Sequence, residues 1–521
     1  MTRPLFVPDH PRSRYDVSGG SVTLTAQDLS APYGPPAHQI CYEDDNLTIV
    51  RLRTQHATDA HPRKDALEIT LAADQVNLWL TCNGERLALY LDQDLYQITP
   101  SSPTQTIVLN SLHGADTIYI DDTVRNPVTL HSGAGDDYLA VGGSYSTIMS
   151  GPGNDTIKVT SGACYIEAGP GDDNVRINST EAATVYAGDG DDDIRGGAGL
   201  SFIEAGAGAD IIAGGAGHTI LSGGSGPDTL RAGSGTSVIY TGGHPDEATH
   251  LKPTDNVFAS HSSTLIALDE QQRREWIIDK LTTPSIPTAQ ELLDTLTLNP
   301  TRPFQEARIH DGEAGKLGVT IEGNSEFQAR VESDLELLRG SATGQKLLRA
   351  LDLTVTQGGR AVKIQYTDRS NGIFEPSVPL EPSLLRLPGD PPDPVPPYIK
   401  DGLPGPAAPG GTIFYNPTFS RPGLLPLVGL YHELCHAYNA MTGTVVPGRT
   451  EETVSGKTAQ IDNAELQALG LPIPGMTPFD FDLDPLTPPT LTNPEAYTEN
   501  GLRRELGLPL RRTYLQGDDP N

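Results

Sequence analysis

Cations are what this chain has least of. Lys and Arg number 36 against 67 Asp and Glu, which leaves a formal charge of −31. A surface so acidic repels phosphate, so nucleic-acid binding is not expected. Aromatic residues make up 6 % of the chain and hydrophobic residues 36 %. A large apolar core therefore cannot hold all of it together. Cys41, Cys82, Cys164 and Cys435 are scattered, with no CxxC pair, which argues against a disulfide scaffold. No apolar run approaches the roughly 18 residues of a membrane span. The N-terminus, MTRPLFVPDHPRSRYDVSGG, lacks the apolar stretch of a cleaved secretory signal. Export, if it occurs, is expected by a specialised bacterial route without a cleaved signal.

What the chain has in abundance is Gly (55) and Pro (44). Much of the glycine lies in a repeat. GAGDDYL begins at Gly133, and GPGNDTIKV, GPGDDNVRI, GDGDDDIRG, GAGADIIAG and GSGPDTLRA begin at Gly151, Gly169, Gly188, Gly206 and Gly224. Half-repeats of related shape lie between them, so the underlying period is nine and a pair of nines makes one turn of a coil. Each nine supplies a glycine turn, where φ > 0 is cheap, and a very short strand. The large apolar residue of each repeat (Leu139, Ile157, Val175, Ile194, Ile212, Leu230) is expected to point inward. Two positions before it stand Asp137, Asp155, Asp173, Asp192, Asp210 and Asp228. Such a column can supply carboxylates to calcium between successive turns. The opposite edge has Ser146, Ser201, Thr219 and Ser237 instead. Calcium is therefore expected along one edge only, or weakly, with hydroxyl and backbone hydrogen bonds on the other. A metal-independent roll is the alternative. The pattern resembles the RTX (hemolysin-type) calcium-binding nonapeptide.

Residues 47–109 alternate apolar and polar, which predicts antiparallel strands. HGADTIYIDD (113–122) reads as a degenerate first rung. The expected organisation is multidomain: an N-terminal β-rich cap (1–109), a parallel β-roll (110–245), a mixed helical linker (246–312) with helices at 268–281 and 288–296, and an α+β zincin-like metalloprotease domain (313–521). Within the last, helical spacing runs over 327–351, a strand or hairpin is expected over 351–366, and 375–410 is a Pro-rich loop.

GTIFYNP (411–417) reads as a strand leading into YHELCHAYN (431–439). On a helix, residues i and i+4 project from one face, so His432 and His436 can share one zinc ion. Glu433 lies where it can take a proton from a metal-activated water. No histidine follows His436, so the third ligand should be a carboxylate. Glu465, in DNAELQALG, is the first choice, with Glu451, Glu452 and Asp462 as competitors. Cys435 reads as a small core residue.

Four features, FQARVESDLELL with its following GQKLL, IFYNP, YHELCHAYN and the tail TENGLRRELGLPLRRTYL (498–515), together resemble the NleD-like effector zinc metallopeptidases of plant- and animal-associated bacteria. That resemblance covers about residues 313–521. It implies endopeptidase action on a host protein, since characterised members cleave mitogen-activated protein kinases, with His432 and His436 as ligands and Glu433 as base. Arg503, Arg504, Arg511 and Tyr514 match the tail, and Tyr497 or Tyr514 is a candidate for steadying an oxyanion. The roll departs from this family's pattern. The functional expectation is a secreted or translocated zinc endopeptidase whose roll aids folding, export or docking. The alternative is a calcium-binding structural or adhesive protein with a non-catalytic protease-like domain.

Overall fold

The computed structural model describes residues 13–18, 37–53, 65–269, 271–272, 304–368, 372–377, 396–418 and 425–515. The helices expected at 268–281 and 288–296 fall almost wholly outside these, as do residues 378–395 of the Pro-rich loop. The chain forms two compact units, Met1–Ala307 and Arg308–Asn521.

The first unit is built from two sheets of thirteen strands each. Toward its N-terminal end, Ala37–Glu43, Leu47–Arg53 and Asp65–Leu71 are antiparallel in one sheet and Asn77–Asn83, Arg86–Leu91 and Asp94–Thr99 in the other, while Ser13–Ser18 joins Asp94–Thr99 in parallel. The roll grows from these in parallel, Thr106–Asn110 beside Asp65–Leu71 and Thr117–Ile120 beside Asn77–Asn83. The chain then alternates between sheets, one short strand per nine residues.

Register explains why so little apolar surface suffices. Leu139, Ile157, Val175, Ile194, Ile212 and Leu230 are direct neighbours from strand to strand. All six are fully buried. Each such side chain contributes roughly 1.5–3 kcal/mol of burial, and the stack is continuous, since one core cluster runs from Leu47 to Phe304. The parallel ladder also continues past residue 245, through Glu247–Leu251, Asn256–Ala259 and Thr264–Ala267. Ala248, Leu251 and Val257 keep the inward positions filled there although the Gly-Asp pattern has ended.

The glycine turns lie so close that a side chain has no room. At Gly171 (φ +140) a Cβ would stand 2.0 Å from the Gly153 carbonyl oxygen of the rung before.

In the second unit, β1 (Val319–Glu322), β2 (Val362–Tyr366), β3 (Ile373–Pro376) and β4 (Gly411–Tyr415) form a sheet in the order β1-β2-β4-β3. The β1–β2 and β2–β4 pairs are parallel and β3 is an antiparallel edge. Three helices complete its scaffold: α1 (Ser325–Gly340), α2 (Ala342–Thr356) and α3 (Pro426–Thr442). The segment 351–366, expected as a strand or hairpin, is instead the last turn of α2 followed by β2. Leu347, Leu348 and Leu351 bury one helical face through that turn, and packing overrides the β-branched run TVT.

Gly171→Ala is expected to lower the stability of the first unit by about 1–3 kcal/mol, read as an earlier β-sheet unfolding transition by circular dichroism. An unchanged transition would contradict the close rung-to-rung approach.

Candidate metal centre

Helix α3 carries the HELCH motif. It opens on Pro426, whose fixed φ suits the first helical position, and stops at Gly443 (φ 72), the left-handed conformation that ends helices. Leu427, Leu430, Leu434 and Ala437 are fully buried and anchor the helix. His432 and His436 project together from it, their Nε2 atoms 3.0 Å apart.

The third partner comes from a hairpin and a short helix downstream. After β5 (Arg449–Val454) and β6 (Lys457–Asp462), α4 (Asn463–Leu469) presents Glu465. Its Oε2 lies 3.1 Å from His432 Nε2 and 3.3 Å from His436 Nε2. Among the described residues, these three are the one group of His, Cys, Asp and Glu side chains whose ligand atoms converge. The competing carboxylates are engaged elsewhere. Glu452 accepts the backbone N–H groups of Tyr514 and Leu515, Asp462 pairs with Arg449, and Glu451 accepts from Gln460.

The donor set fits zinc. Ligands at 2.0–2.2 Å in a tetrahedron lie about 3.4 Å from one another, close to the separations here. Two imidazole nitrogens and a carboxylate oxygen in a part-buried triangle also need a cation or a proton among them. Burial by itself would lower the His432 pKa, but the Glu465 and Glu499 carboxylates outweigh it and hold it up at about 10. Burial works against ionisation of Glu465 too, yet His436 and His432 pull its pKa well below the ordinary range.

Glu499 was not anticipated from the sequence. It opens α5 (Glu499–Glu505), which Thr498 caps by accepting the Gly501 N–H. Its Oε2 takes the His432 Nδ1–H at 2.9 Å. That bond commits Nδ1, so Nε2 is the atom that faces Glu465 and His436 and can exchange its proton for a metal ion. Glu499 is buried, which favours its neutral form, but His432, Arg503 and Arg511 hold its pKa down at about 2. Arg503 Nε donates to its Oε1 at 2.6 Å, and Arg511 lies 3.4 Å from its Oε2. Arg503 and Arg511 of the tail thus serve this carboxylate, whereas Arg504 pairs with Glu495. The legible signal is the i, i+4 spacing of Glu499 and Arg503 in ENGLRRELG.

Glu433 points toward the sheet edge. Its Oε2 accepts the Phe374 N–H of β3 at 2.7 Å. Burial raises its pKa, and the two histidines temper the rise. Cys435 is fully buried in the core. Tyr497 stacks on Tyr438 at 4.4 Å, and Tyr514 packs against Arg511.

The aspartates of the roll form a second arrangement. The backbone N–H of Asp137 donates to Asp155 Oδ1 at 2.8 Å. Asp155, Asp173, Asp192 and Asp210 repeat the bond to Asp173, Asp192, Asp210 and Asp228. Asp116 begins this ladder and Asp246, which lies outside any Gly-x-Gly motif, ends it. The other oxygen, Oδ2, of each aspartate from Asp116 to Asp228 in this ladder is buried without a hydrogen bond. Ser132 and Ser150 lie near, but their hydroxyls donate to carbonyls. A line of orphaned buried carboxylate oxygens suits a hard cation such as calcium. Burial, reinforced by neighbouring carboxylates, raises Asp155 to about 7, Asp173, Asp192 and Asp228 to about 8, and Asp210 to about 6. The opposite edge is different. Thr219 Oγ1 donates to Ser237 Oγ, and the Ser237 N–H donates to Asp255, whose carboxylate meets the buried Lys252 ammonium at 2.9 Å.

With both geometries described, comparison with known families is informative. Residues 316–514 match the Peptidase M91 family, described as "Effector protein". Residues 149–176, 186–221 and 222–244 match the RTX calcium-binding nonapeptide repeat. The pairing of a peptidase-type effector region with RTX repeats is therefore as the motifs implied, and the repeats support calcium binding. No curated protein and no solved structure gives a significant match. Among the described residues, no helix is long and apolar enough to cross a membrane. The M91 match ends at Tyr514, so it takes in Glu499, Arg503 and Arg511 along with the HELCH helix.

The raised aspartate values fix a sign. The unfolded chain has Asp near pKa 3.9, so between about pH 4 and pH 8 the calcium-free fold binds more protons than the unfolded chain, and its stability falls as pH rises. In the presence of EGTA the roll is expected to melt at a lower temperature at pH 8 than at pH 5. Saturating calcium, which binds the ionised form, should remove that loss. Calorimetry at the two pH values checks it; a chelated roll as stable at pH 8 as at pH 5 would refute the column as drawn.

Proposed function

We propose that residues 308–521 are a zinc-dependent endopeptidase, part of a secreted effector that acts on a host protein, and that the roll is a calcium-stabilised module serving folding, export or docking. The observation that carries the reading is the convergence of His432, His436 and Glu465, with Glu433 one residue from the first of them.

His432 Nε2, His436 Nε2 and Glu465 Oε2 would hold the metal, and a fourth position would be left for water or substrate. Zinc, when bound, supplies Lewis acidity that eases loss of a proton from water at neutral pH and polarises the scissile carbonyl. Glu433 is the base. It receives the proton from the attacking water and returns it to the departing amine nitrogen. The Phe374 N–H orients one oxygen of that carboxylate, which leaves the other for the water. Glu499 fixes the His432 tautomer and ring orientation, with Arg503 and Arg511 keeping it anionic. A host signalling kinase is the substrate class that the family resemblance suggests, and secretion without a cleaved signal fits a roll that gains stability where calcium is plentiful.

Elemental analysis of the purified chain is expected to give near one zinc, lost in a His432→Ala/His436→Ala double variant. Glu433→Ala should retain the metal and lose peptide cleavage; surviving cleavage would disprove its role as base. Glu499→Gln should fold and keep Glu433 in place, yet bind zinc about 10–100-fold more weakly, measured by competition with a chromophoric chelator. Unaltered affinity would reduce Glu499 to a packing role.

A further inference from the structure

We infer that the outer face of the first roll sheet binds an acidic polysaccharide. Side chains alternate across a strand, so every second residue of this sheet faces away from the core. One such row runs unbroken through the register: Trp79 beside Tyr119, then Ala140, Lys158, Arg176, Arg195, Ala213 and Arg231. Its first part is aromatic. Trp79 stacks on Tyr90 at 5.2 Å, and Tyr119 lies 5.7 Å from Tyr138. Its second part is cationic, and the two meet where the Lys158 ammonium sits 4.9 Å over the Tyr138 ring.

The charge of this face opposes that of the chain. Between Trp79 and Arg231, the row and the outward row that contains Tyr138 hold four cations (Lys158, Arg176, Arg195, Arg231) and one carboxylate, Asp193, which ion-pairs with Arg176 and lies 3.9 Å from Arg195. The neighbouring row otherwise offers groups such as Thr156, Asn174 and Thr229. A local excess of cations on a chain of net charge −31 marks a surface complementary to an anion.

The shape narrows the anion. Strands recur about every 4.8 Å, so the row is evenly spaced. A matching ligand is extended and repetitive, with apolar ring faces to lie on Trp79 and Tyr119 and with carboxylates or sulfates to meet the arginine forks. Chains of uronate or sulfated sugars have both. An acidic peptide strand would find no open backbone edge on this face, and the charge density of nucleic acid would be repelled by the acidic remainder of the protein.

Titration of the full chain with chondroitin sulfate, in calcium and about 0.15 M salt, tests the inference by calorimetry, with dextran and duplex DNA in parallel. Chondroitin sulfate should bind and dextran should not. Arg195→Ser/Arg231→Ser, two exposed substitutions, should weaken binding at least about tenfold, most of it lost again as salt is raised. Tyr119→Leu should weaken it in high salt too, since stacking is not screened. No binding of chondroitin sulfate, equal binding by the arginine variant, or tighter binding of duplex DNA would each overturn the proposal. Melting curves of the variants confirm that they are folded, and should Tyr119→Leu unfold, the arginine pair decides alone.

Discussion

A buried carboxylate must meet a cation, collect hydrogen bonds or keep its proton, and both units of this protein are organised by that demand. In the roll, each aspartate gives one oxygen to the N–H of the rung before it and leaves the other bare. The repeat is thus complete in its backbone and incomplete in its charge. In the second unit, buried Glu499 and half-buried Glu465 flank His432, and the histidines and arginines beside them hold both carboxyls below the usual range.

The two solutions differ in kind. The M91 region brings in its own cations for Glu499, through Arg503 and Arg511, so that carboxylate is settled without a metal. Glu465 and the paired histidines are settled only by a proton or a metal. The roll does both on its two edges. The aspartate edge waits for an external cation, whereas the hydroxyl edge ends on Asp255 with the Lys252 ammonium already in place. The strength of either solution grows with burial, because a low local dielectric magnifies an unpaired charge as much as a paired one.

Short strands make this dependence sharper. Each rung buries one or two apolar side chains per sheet, and glycine carbonyls approach the next turn too closely for a methyl group. Apolar stacking alone fixes the register of such a coil, and ions along one edge can then set its stability without altering its shape. That separation lets the outer face vary independently, which is how a cationic, aromatic row can coexist with an acidic edge.

The sequence by itself determined what depends on local periodicity. The nine-residue repeat placed the inward column and the aspartate edge, since a coil with a fixed period converts sequence spacing directly into spatial neighbours. The i, i+4 rule likewise put His432 and His436 on one helical face. Tertiary structure decided what depends on segments far apart in the chain. It brought Glu465 to the histidine pair and engaged Glu451, Glu452 and Asp462 in the hairpin and tail. It brought Glu499, more than sixty residues on, against His432, and extended the roll to Ala267 after its motif had ended. No periodicity encodes such contacts; they follow from which buried groups the folded chain must still neutralise.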